Sequence, residues 1–475
     1  MSPLLILPII LPAVLAGGII LFARNALNLQ RAISVLGTLA LLGLAISLSQ
    51  APTQAYFLGN WPAPFGIALV LDGLSALMLL LTASLALIIL IHTIRTGWDA
   101  CGRHFHALYL FQLMGLNGAF LTGDAFNLFV FFEVLLIASY GLMVHGGGEA
   151  RIRAGVQYVA FNLLGSTLFL FALAVIYSTT GTLNMADLAQ KLPQIAANDT
   201  GLIRVAAVLL MLVFAVKAAL VPLQFWLPGT YANAPGPVAA LFAVMTKVGA
   251  YALIRFGTLV FPTDLPATTT LLAGLLYPAA LATIAIGALG TLATRTLPRQ
   301  IAFATIGSMG TLLLTVSAFT PQATAAALYY TVHSTLATAA LFLIADLTRT
   351  RRDGLTAALY MAAAIAMAGM PPLSGFVGKL LVLDALRGDA IAWTAILLAS
   401  LLTMIGFARQ GSDLFWKSPS AEAAAQSKAA ILLCLTALAA LTIAAGPITE
   451  QLTLTAEAVH QPADYIAANH LGGPK

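Results

Sequence analysis

Residues 204–256 decide the fold, and they read RVAAVLLMLVFAVKAALVPLQFWLPGTYANAPGPVAALFAVMTKVGAYALIRF. This stretch predicts two long apolar helices joined by a short hairpin rich in proline and glycine, from Trp226 to Pro237. Lys217 lies within the first apolar run and Lys247 within the second. A lysine at bilayer depth is costly, so it usually faces the interior of a helix bundle or a wet cavity and has a function there. The rest of the chain repeats this design.

The composition indicates a membrane protein. Of the 475 residues, 60% are hydrophobic and only 8% are charged, whereas a soluble domain has about 25% charged residues. Such a chain would expose too much apolar surface to water, so we expect an all-α polytopic membrane protein embedded in the lipid bilayer. The first three residues, Met1-Ser-Pro, carry no basic segment, so we expect no signal peptide.

No sequence pattern predicts a cofactor, a metal site or a nucleic-acid partner. Cys101 and Cys434 form no Cys-x-x-Cys pair, which argues against a metal cluster, a haem attachment site or a disulfide framework. The sequence has no G-x-x-x-x-G-K-[ST] loop and no G-x-G-x-x-G, so ATP and dinucleotide binding are not expected. The formal charge of +5 comes from basic residues scattered through loops, which does not indicate nucleic-acid binding.

The hydrophobic segments predict about fourteen transmembrane helices, since each is close to the roughly 20 residues that a helix needs to cross the hydrocarbon core. The spans cover about 3–23, 32–49, 70–91, 105–122, 125–144, 156–178, 203–224, 234–260, 269–292, 300–318, 323–347, 356–386, 391–409 and 428–446. The longest polar gap between them, residues 179–202, is predicted to be a loop with at most one short interfacial helix.

Basic residues predict the orientation of these spans. Of the 22 Lys and Arg residues, 14 fall in the alternate loops that begin with residues 24–31, five fall in the opposite loops and the tail, and three lie inside spans. Because loops on the cytoplasmic side carry an excess of Lys and Arg, both termini are predicted to lie outside.

Two spans are predicted to be broken. Pro222 follows Lys217 in the seventh span, and Gly369-Met-Pro-Pro-Leu-Ser-Gly375 precedes Lys379 in the twelfth. The breaks are five spans apart, so spans four to eight (residues 105–260) and nine to thirteen (261–409) are interpreted as two inverted five-helix repeats, a pattern typical of transporters. Three helices (1–104) precede them, and the last helix with the tail (410–475) follows.

Five ionisable residues are predicted to lie near mid-membrane: Glu133, Lys217, Lys247, His333 and Lys379. Instead of a role in proton transfer, the Glu and Lys residues could form a buried structural ion pair, and His333 could form only a structural hydrogen bond to a neighbouring helix. Burial disfavours the charged form of such groups and brings their proton exchange nearer neutral pH, as a proton relay requires. We expect Glu133 and Lys217 to form a hydrogen-bonded ion pair.

Four other charged residues are expected to have less specific roles. Asp72 is either an interfacial helix cap or a group with a further role, and Arg255 is expected to extend toward the outer face. Asp346 and Asp384 are expected to be ordinary interfacial charges near span ends.

Three motifs resemble one family. Residues 123–133 (GDAFNLFVFFE), 227–251 (LPGTYANAPGPVAALFAVMTKVGAY) and 371–379 (PPLSGFVGK) are similar to the proton-translocating antiporter superfamily. It includes antiporter-like membrane subunits of respiratory complex I, of membrane-bound hydrogenases and of Mrp (also Mnh or Pha) multisubunit cation/proton antiporters. Complex I subunits usually have an acidic residue and a histidine where Gly229 and Tyr231 stand here, so the D-type subunits of Mrp antiporters are the most similar branch.

The resemblance implies a role for each of the five residues. Glu133 and Lys217 would be the input pair, Lys247 the central relay and Lys379 the terminal proton-loading residue. His333 matches the histidine of a linking helix. Some relatives carry a lysine a few residues later on that helix, where Thr338 and Ala339 stand in this sequence.

The expected function is therefore proton translocation in a bacterial inner-membrane antiporter that exchanges Na⁺ or K⁺ for protons, together with subunits of the A, B, C, E, F and G types. The nearest alternative is a membrane subunit of complex I or of a hydrogenase, where redox chemistry would drive the same path. A scaffold that conducts nothing is a third alternative, but apolar residues would serve a scaffold better than five buried ionisable groups.

Overall fold

The computed structural model of the chain describes residues 3–195, 200–349, 352–416 and 427–469. These ranges contain nineteen α-helices: α1 (Leu7–Phe22), α2 (Leu27–Leu48), α3 (Gly73–Thr96), α4 (Phe105–Leu121), α5 (Ala125–Met143), α6 (Glu149–Thr180), α7 (Met185–Lys191), α8 (Thr200–Ala218), α9 (Trp226–Asn233), α10 (Gly236–Arg255), α11 (Leu271–Ala293), α12 (Leu297–Val316), α13 (Pro321–Leu347), α14 (Gly354–Ala368), α15 (Ser374–Ala385), α16 (Ala390–Phe415), α17 (Ala429–Ile443), α18 (Ala445–His460) and α19 (Ala463–Ala468).

The helices confirm a multi-pass membrane fold. Within the described ranges, ten helices are long and apolar enough to cross a membrane, and an eleventh span results if α17 and α18, which meet at 81°, are counted together. The count of fourteen spans therefore stays a prediction. Arg351, Lys417 and Lys475, which contribute to the predicted orientation, lie outside the described residues, as does the C-terminus.

A short sheet departs from the all-α prediction. Strands β1 (Gln54–Phe57) and β2 (Ala68–Leu71) pair antiparallel between α2 and α3. Asp72 follows β2 directly and caps α3, because its side chain accepts a hydrogen bond from the backbone N–H of Ser75 at 2.9 Å. The cap satisfies one of the free N–H groups at the helix start, so the first of the two alternatives for Asp72, a helix cap, is present in the structure.

The predicted hairpin between the two lysine-bearing helices is mostly helical. Residues Trp226–Asn233 form α9, although Pro228 and Gly229 lie within it. Proline is tolerated in the first turn of a helix, where its missing N–H would have no intrahelical partner. The longer irregular stretch instead covers residues 219–225, between the end of α8 and the start of α9, and only residues 234–235 separate α9 from α10.

Both predicted breaks are present. Helix α8 ends at Ala218, one residue after Lys217, and the indole N–H of Trp226 donates to the backbone carbonyl of Val216 at 2.9 Å. Helix α14 ends at Ala368, and Gly369 adopts a left-handed conformation with φ of 80°. The breaks thus free backbone carbonyl groups inside the bundle, where a polar side chain must satisfy them.

Helices α10 and α13 form the core of the bundle. Every residue of α10 is buried, and so are nearly all residues of α13. Helix α10 packs against α3, α8 and α13, and α13 also contacts α12 and α15. A helix that is covered on all sides meets protein rather than lipid, so these two helices can carry ionisable side chains.

Arg255, expected to extend toward the outer face, is buried by protein at the start of α3. It is 3% exposed and donates two hydrogen bonds to the carboxylate of Asp72, at 2.7 and 2.8 Å. Its guanidinium group also lies 4.8 Å from the centre of the Tyr465 ring. A buried arginine is tolerated when a carboxylate pairs with it in this forked geometry, and here the partner lies on a distant part of the chain.

Candidate functional site

The five predicted ionisable residues lie on helices that pack in succession. Glu133 is on α5, Lys217 on α8, Lys247 on α10, His333 on α13 and Lys379 on α15. Helix α6 links α5 to α8, and contacts then run from α8 to α10, from α10 to α13 and from α13 to α15. The row of ionisable groups therefore crosses the bundle from helix to helix.

Glu133 and Lys217 do not form the direct ion pair that the sequence predicts. The Lys217 ammonium group donates to Oδ1 of Asn162 at 2.9 Å, and the Ser166 hydroxyl donates to Oε1 of Glu133. Asn162 and Ser166 lie one turn apart on α6, so they share a face. The prediction was wrong because α6 packs against both charged helices and supplies a neutral polar partner to each from the same face.

Lys247 has the least polar surroundings of the five. Its side chain is among the largest that are fully buried, with 1% of its surface exposed. Its amine contacts the thioether sulfur of Met309 on α12 at 3.0 Å, and no oxygen acceptor for it is found among the described residues. A thioether is a weak acceptor, so a permanently charged ammonium group would be poorly stabilised here.

His333 lies beside the broken helix pair. Its Nδ1 is hydrogen bonded to the hydroxyl of Ser374, the first residue of α15, at 3.0 Å. A Cβ atom at Gly375 would lie 2.9 Å from the imidazole ring and only 2.0 Å from the carbonyl oxygen of Ala366. The glycine of the Pro-Pro-Leu-Ser-Gly motif is therefore needed for α15 to approach His333 and α14 this closely.

Lys379 uses the carbonyl group that the break in α14 exposes. Its amine donates to the backbone oxygen of Ala368 at 2.8 Å and to the Ser400 hydroxyl on α16 at 2.6 Å. A Cβ atom at Gly369 would lie 2.5 Å from the Lys379 side chain. The left-handed glycine thus both ends α14 and leaves room for the lysine.

Two small cavities adjoin the lysines at the ends of the row. One of about 10 Å³ borders Lys217, Asn162 and Tyr158, and one of about 20 Å³ borders Lys379, Ser308 and Thr311. These volumes measure the space open to the centre of a water molecule, and about 10–15 Å³ of it is needed to hold one water. Each cavity therefore has room for about one water next to a titratable amine.

No hydrogen bond joins two of the five residues directly, within the ranges that the structure describes. The same ranges contain no group of three or more His, Cys, Asp or Glu side chains placed to hold a metal ion. Separate titratable groups with small cavities beside them suit the transfer of protons through water, which needs no ligand cage.

Several polar partners were not predicted from the sequence. Asn162, Ser166, Met309 and Ser400 contact the ionisable groups, yet each lies in an ordinary apolar helix without a motif around it. Ser374 lies inside the quoted Pro-Pro-Leu-Ser-Gly segment and is the one partner that a motif could have indicated. The Thr338 hydroxyl, on the same helix as His333, is buried and has no hydrogen-bond partner in the described part of the chain.

Comparisons with known proteins agree with this geometry. The family model described as NADH:quinone oxidoreductase/Mrp antiporter, transmembrane, matches residues 122–406, a range that includes all five ionisable residues. A probable K⁺/H⁺ antiporter subunit of the D type from Rhizobium meliloti is 40% identical, over 87% of this chain and 87% of its own length. The D-type subunit of a Na⁺/H⁺ antiporter from Alkalihalophilus pseudofirmus is 39% identical, over 98% of this chain and 99% of its own.

Solved structures share the fold over nearly the whole chain. A chain of the Mrp complex from Dietzia superposes with a TM-score of 0.89 at 27% identity, and the match covers 99% of this chain and 100% of that one. A chain of respiratory complex I from Thermus thermophilus gives a TM-score of 0.80 at 26% identity, with coverages of 96% and 99%. Sequence, fold and the row of ionisable groups agree, and the chain belongs to the NADH:quinone oxidoreductase/Mrp antiporter family of membrane subunits.

Proposed function

We propose that this chain is the proton-translocating subunit of a multisubunit monovalent cation/proton antiporter. It is a subunit of a secondary transporter, not an enzyme. The observation that carries the proposal is the row of ionisable residues on successive packed helices, with Lys247 buried against a thioether at its centre. A side chain in that position is costly as a fixed charge but useful as a proton carrier.

In this mechanism Glu133 and Lys217 receive the proton, Lys247 relays it, His333 links the two halves and Lys379 exchanges it at the far end. Asn162 and Ser166, on one face of α6, bind Lys217 and Glu133 respectively, so a proton that moves between the two charged residues must pass along that helix face. Water in the cavities beside Lys217 and Lys379 would complete the hydrogen-bonded chain.

A redox-driven complex is the alternative function, because subunits of complex I share the fold. The closer sequence likeness to D-type antiporter subunits favours the antiporter. So does the hairpin region, where Gly229 and Tyr231 replace the acidic residue and the histidine that complex I subunits usually carry. Neighbouring genes would separate the two, since a redox complex needs subunits with iron–sulfur motifs.

The finer architecture is also part of the proposal. We infer fourteen spans by adding α4, α12, the broken pair α14 and α15, and the bent pair α17 and α18 to the ten long apolar helices. Residues 105–260 and 261–409 would then be the two inverted repeats, each containing one broken helix. Residues 1–104 would form the three-helix N-terminal part, and 410–475 the last span and the tail.

The partners would be subunits of the A, B, C, E, F and G types in a bacterial inner membrane. The exchanged cation would be Na⁺ or K⁺, as in the names of the two relatives. The described residues offer no cluster of carboxylates at either broken helix, so the cation would bind elsewhere in the complex. This chain would then carry protons, and its sister subunits would supply the cation path.

The orientation can be tested at Cys101, which is exposed in the loop after α3. This loop belongs to the alternate loops, beginning with residues 24–31, that carry an excess of Lys and Arg. The excess predicts that Cys101 faces the cytoplasm and that both termini face outward. A membrane-impermeant thiol reagent should label Cys101 only after cells are opened, whereas Cys434 is buried and serves as the internal control. Labelling of Cys101 in intact cells would reverse the orientation.

The relay can be tested at the two most informative lysines. Lys247→Ala and Lys379→Ala should each lower cation/proton exchange about 100-fold or more, the usual contribution of a positioned proton-transfer group. Lys247→Arg and Lys379→Arg should also fail, because arginine does not release its proton. The measurement is the collapse of a pH gradient in everted vesicles on addition of Na⁺ or K⁺, with the whole complex expressed in a host that lacks its own antiporters.

Two controls accompany this assay. Lys191→Ala removes a lysine that is 43% exposed on α7, away from the row, and should leave exchange unchanged. Copurification of the sister subunits shows that each variant assembles. Exchange at the normal rate by Lys247→Arg would show that fixed charge is sufficient, and the relay would be wrong.

The role of α6 can be tested through Asn162. Asn162→Ala removes the acceptor of the Lys217 ammonium group but no ionisable side chain, and it should slow exchange about tenfold, the loss expected for one hydrogen bond to a charged group. Glu133→Gln and Lys217→Ala should be more severe, and Asn162→Ala should add nothing in a Lys217→Ala background. Thr167→Ala, at an exposed neighbour on α6, is the matched control. A rate unchanged by Asn162→Ala would mean that α6 does not couple the two charges.

A further inference from the structure

Another pair of buried titratable groups lies outside the five relay residues. His92, near the end of α3, donates from Nε2 to Oδ2 of Asp346 near the end of α13 at 3.2 Å. His92 is 1% exposed and Asp346 is 7% exposed. The two residues are 254 positions apart in the chain, and Asp346 is not the ordinary interfacial charge that the sequence suggested.

The pair adjoins the helix that carries Lys247. Gly236, the first residue of α10, lies so close that a Cβ atom there would be 2.7 Å from Oδ1 of Asp346. The first N–H groups of a helix have no intrahelical acceptors and carry partial positive charge. The carboxylate is therefore placed where it stabilises the start of α10, while its own helix, α13, carries His333.

Trp98 covers the pair on the side of the bundle that carries the loops rich in Lys and Arg, the set that begins with residues 24–31. Its indole N–H lies 3.0 Å from both oxygens of the Asp346 carboxylate, and its ring is partly exposed. Arg151 on α6 lies 5.4 Å from the centre of the Trp98 ring, and Nε2 of His145 donates to the Trp98 carbonyl at 2.8 Å. The Trp98 indole therefore lies directly against the Asp346 carboxylate on this side of the bundle.

The loop that bears Trp98 is held firmly by its neighbour Asp99. Arg31 donates two hydrogen bonds to Asp99, at 2.6 and 3.0 Å, and His106 donates a third at 3.2 Å. Burial would raise the pKa of the Asp99 carboxyl, but the hydrogen bonds from His106 and Arg31 outweigh it and hold the pKa at about 2. Asp99 stays charged at neutral pH and anchors Trp98 in place.

One nitrogen of His92 is left without a partner. Its Nδ1 is buried and accepts no hydrogen bond in the described part of the chain, whereas Nε2 is bound to Asp346. With the proton on Nε2, Nδ1 presents a free lone pair. An imidazole in this state can accept a proton at one nitrogen and release another from the opposite nitrogen to the carboxylate.

We propose that His92 and Asp346 form the site where the relay exchanges protons with the aqueous phase on the side of the basic loops, with Trp98 as its cover. This inference rests on the proposed function. A proton binds at Nδ1 of His92, the Nε2 proton moves to the Asp346 carboxylate, and the reverse steps release it. No other bond is made or broken, so the site works in either direction of exchange.

The route from the pair to the relay runs along α13. Thr338, with its unpaired hydroxyl, lies two turns from Asp346, or about 12 Å along the helix, and His333 lies beyond it. Phe342 fills the turn between them and packs against Tyr231, with ring centres 5.9 Å apart. This interval is apolar, so water must enter it for the proton to reach Thr338 and the relay.

The other charged groups around the pair do not replace it. Arg95 lies on the last turn of α3 and is exposed, and Arg349 follows Asp346 beyond the end of α13. Arg151 and His145 contact Trp98, and neither is hydrogen bonded to the carboxylate of Asp346. The first turn of α10 contributes no acidic group. Within the described residues, His92 is the titratable group that is hydrogen bonded to Asp346.

The test uses Asp346→Asn and His92→Gln in the assembled complex, because both substitutions keep hydrogen-bonding groups and remove the proton exchange. Each should lower the exchange rate in everted vesicles about 100-fold. The residual rate should also show a larger solvent deuterium isotope effect than the wild type, because proton transfer becomes rate-limiting. His104→Gln, at an exposed histidine in the same loop, and Asp264→Asn, at an exposed carboxylate elsewhere, should change neither quantity.

Normal rates for Asp346→Asn and His92→Gln would overturn the proposal. A lower rate with an unchanged isotope effect would also overturn it, because the pair would then only hold α3, α10 and α13 together. Failure of both variants to copurify with the sister subunits would assign the pair to folding and have the same consequence. Lys247→Ala, measured beside them, separates the two hypotheses: if it abolishes exchange while the pair variants do not, the relay stands and only the exchange site is wrong.

Discussion

The cost of burying the Lys247 amine is the constraint on which the rest of the structure depends. The side chain enters a core built by α8, α10, α12 and α13, where it meets the sulfur of Met309. A charged group in such a place normally has a partner or a function. The completely buried α10, the covering α13 and the polar partners at both ends of the row all follow from carrying this group across a bilayer.

The broken helices provide the polar chemistry that straight helices cannot. In an unbroken helix every interior carbonyl is used by the backbone. The break in α14 frees the Ala368 carbonyl, and Lys379 binds it together with Ser400. The break after α8 places Lys217 in the last turn of a helix, next to Asn162 and a small cavity. Lys217 and Lys379 thus each have an oxygen acceptor and space for a water next to the amine. The amine of Lys247, between them, has only a thioether sulfur as its acceptor among the described residues.

The sequence predicts helices and their breaks well and predicts contacts between helices poorly. Apolar runs interrupted by Lys217, Lys247 and Lys379 indicated membrane helices that carry lysines within them, and Gly369 to Gly375 indicated a break, because each of these signals is local. The partner of Lys217 depends on which face of α6 turns inward, and that is set by packing. The same limit explains why Arg255 was expected at the membrane surface and why the contact between His92 and Asp346 could not be foreseen.

The protonation of the Lys247 amine during exchange is the most direct test of the account. Solid-state nuclear magnetic resonance of the whole complex in lipid, labelled with ¹⁵N at lysine Nζ, separates a charged ammonium signal from that of a neutral amine, and Lys247→Arg identifies the signal. We predict that this signal changes between the two forms when a cation gradient is imposed or reversed. A Lys247 signal that stays ammonium under both gradients, in a complex that exchanges normally, would contradict it.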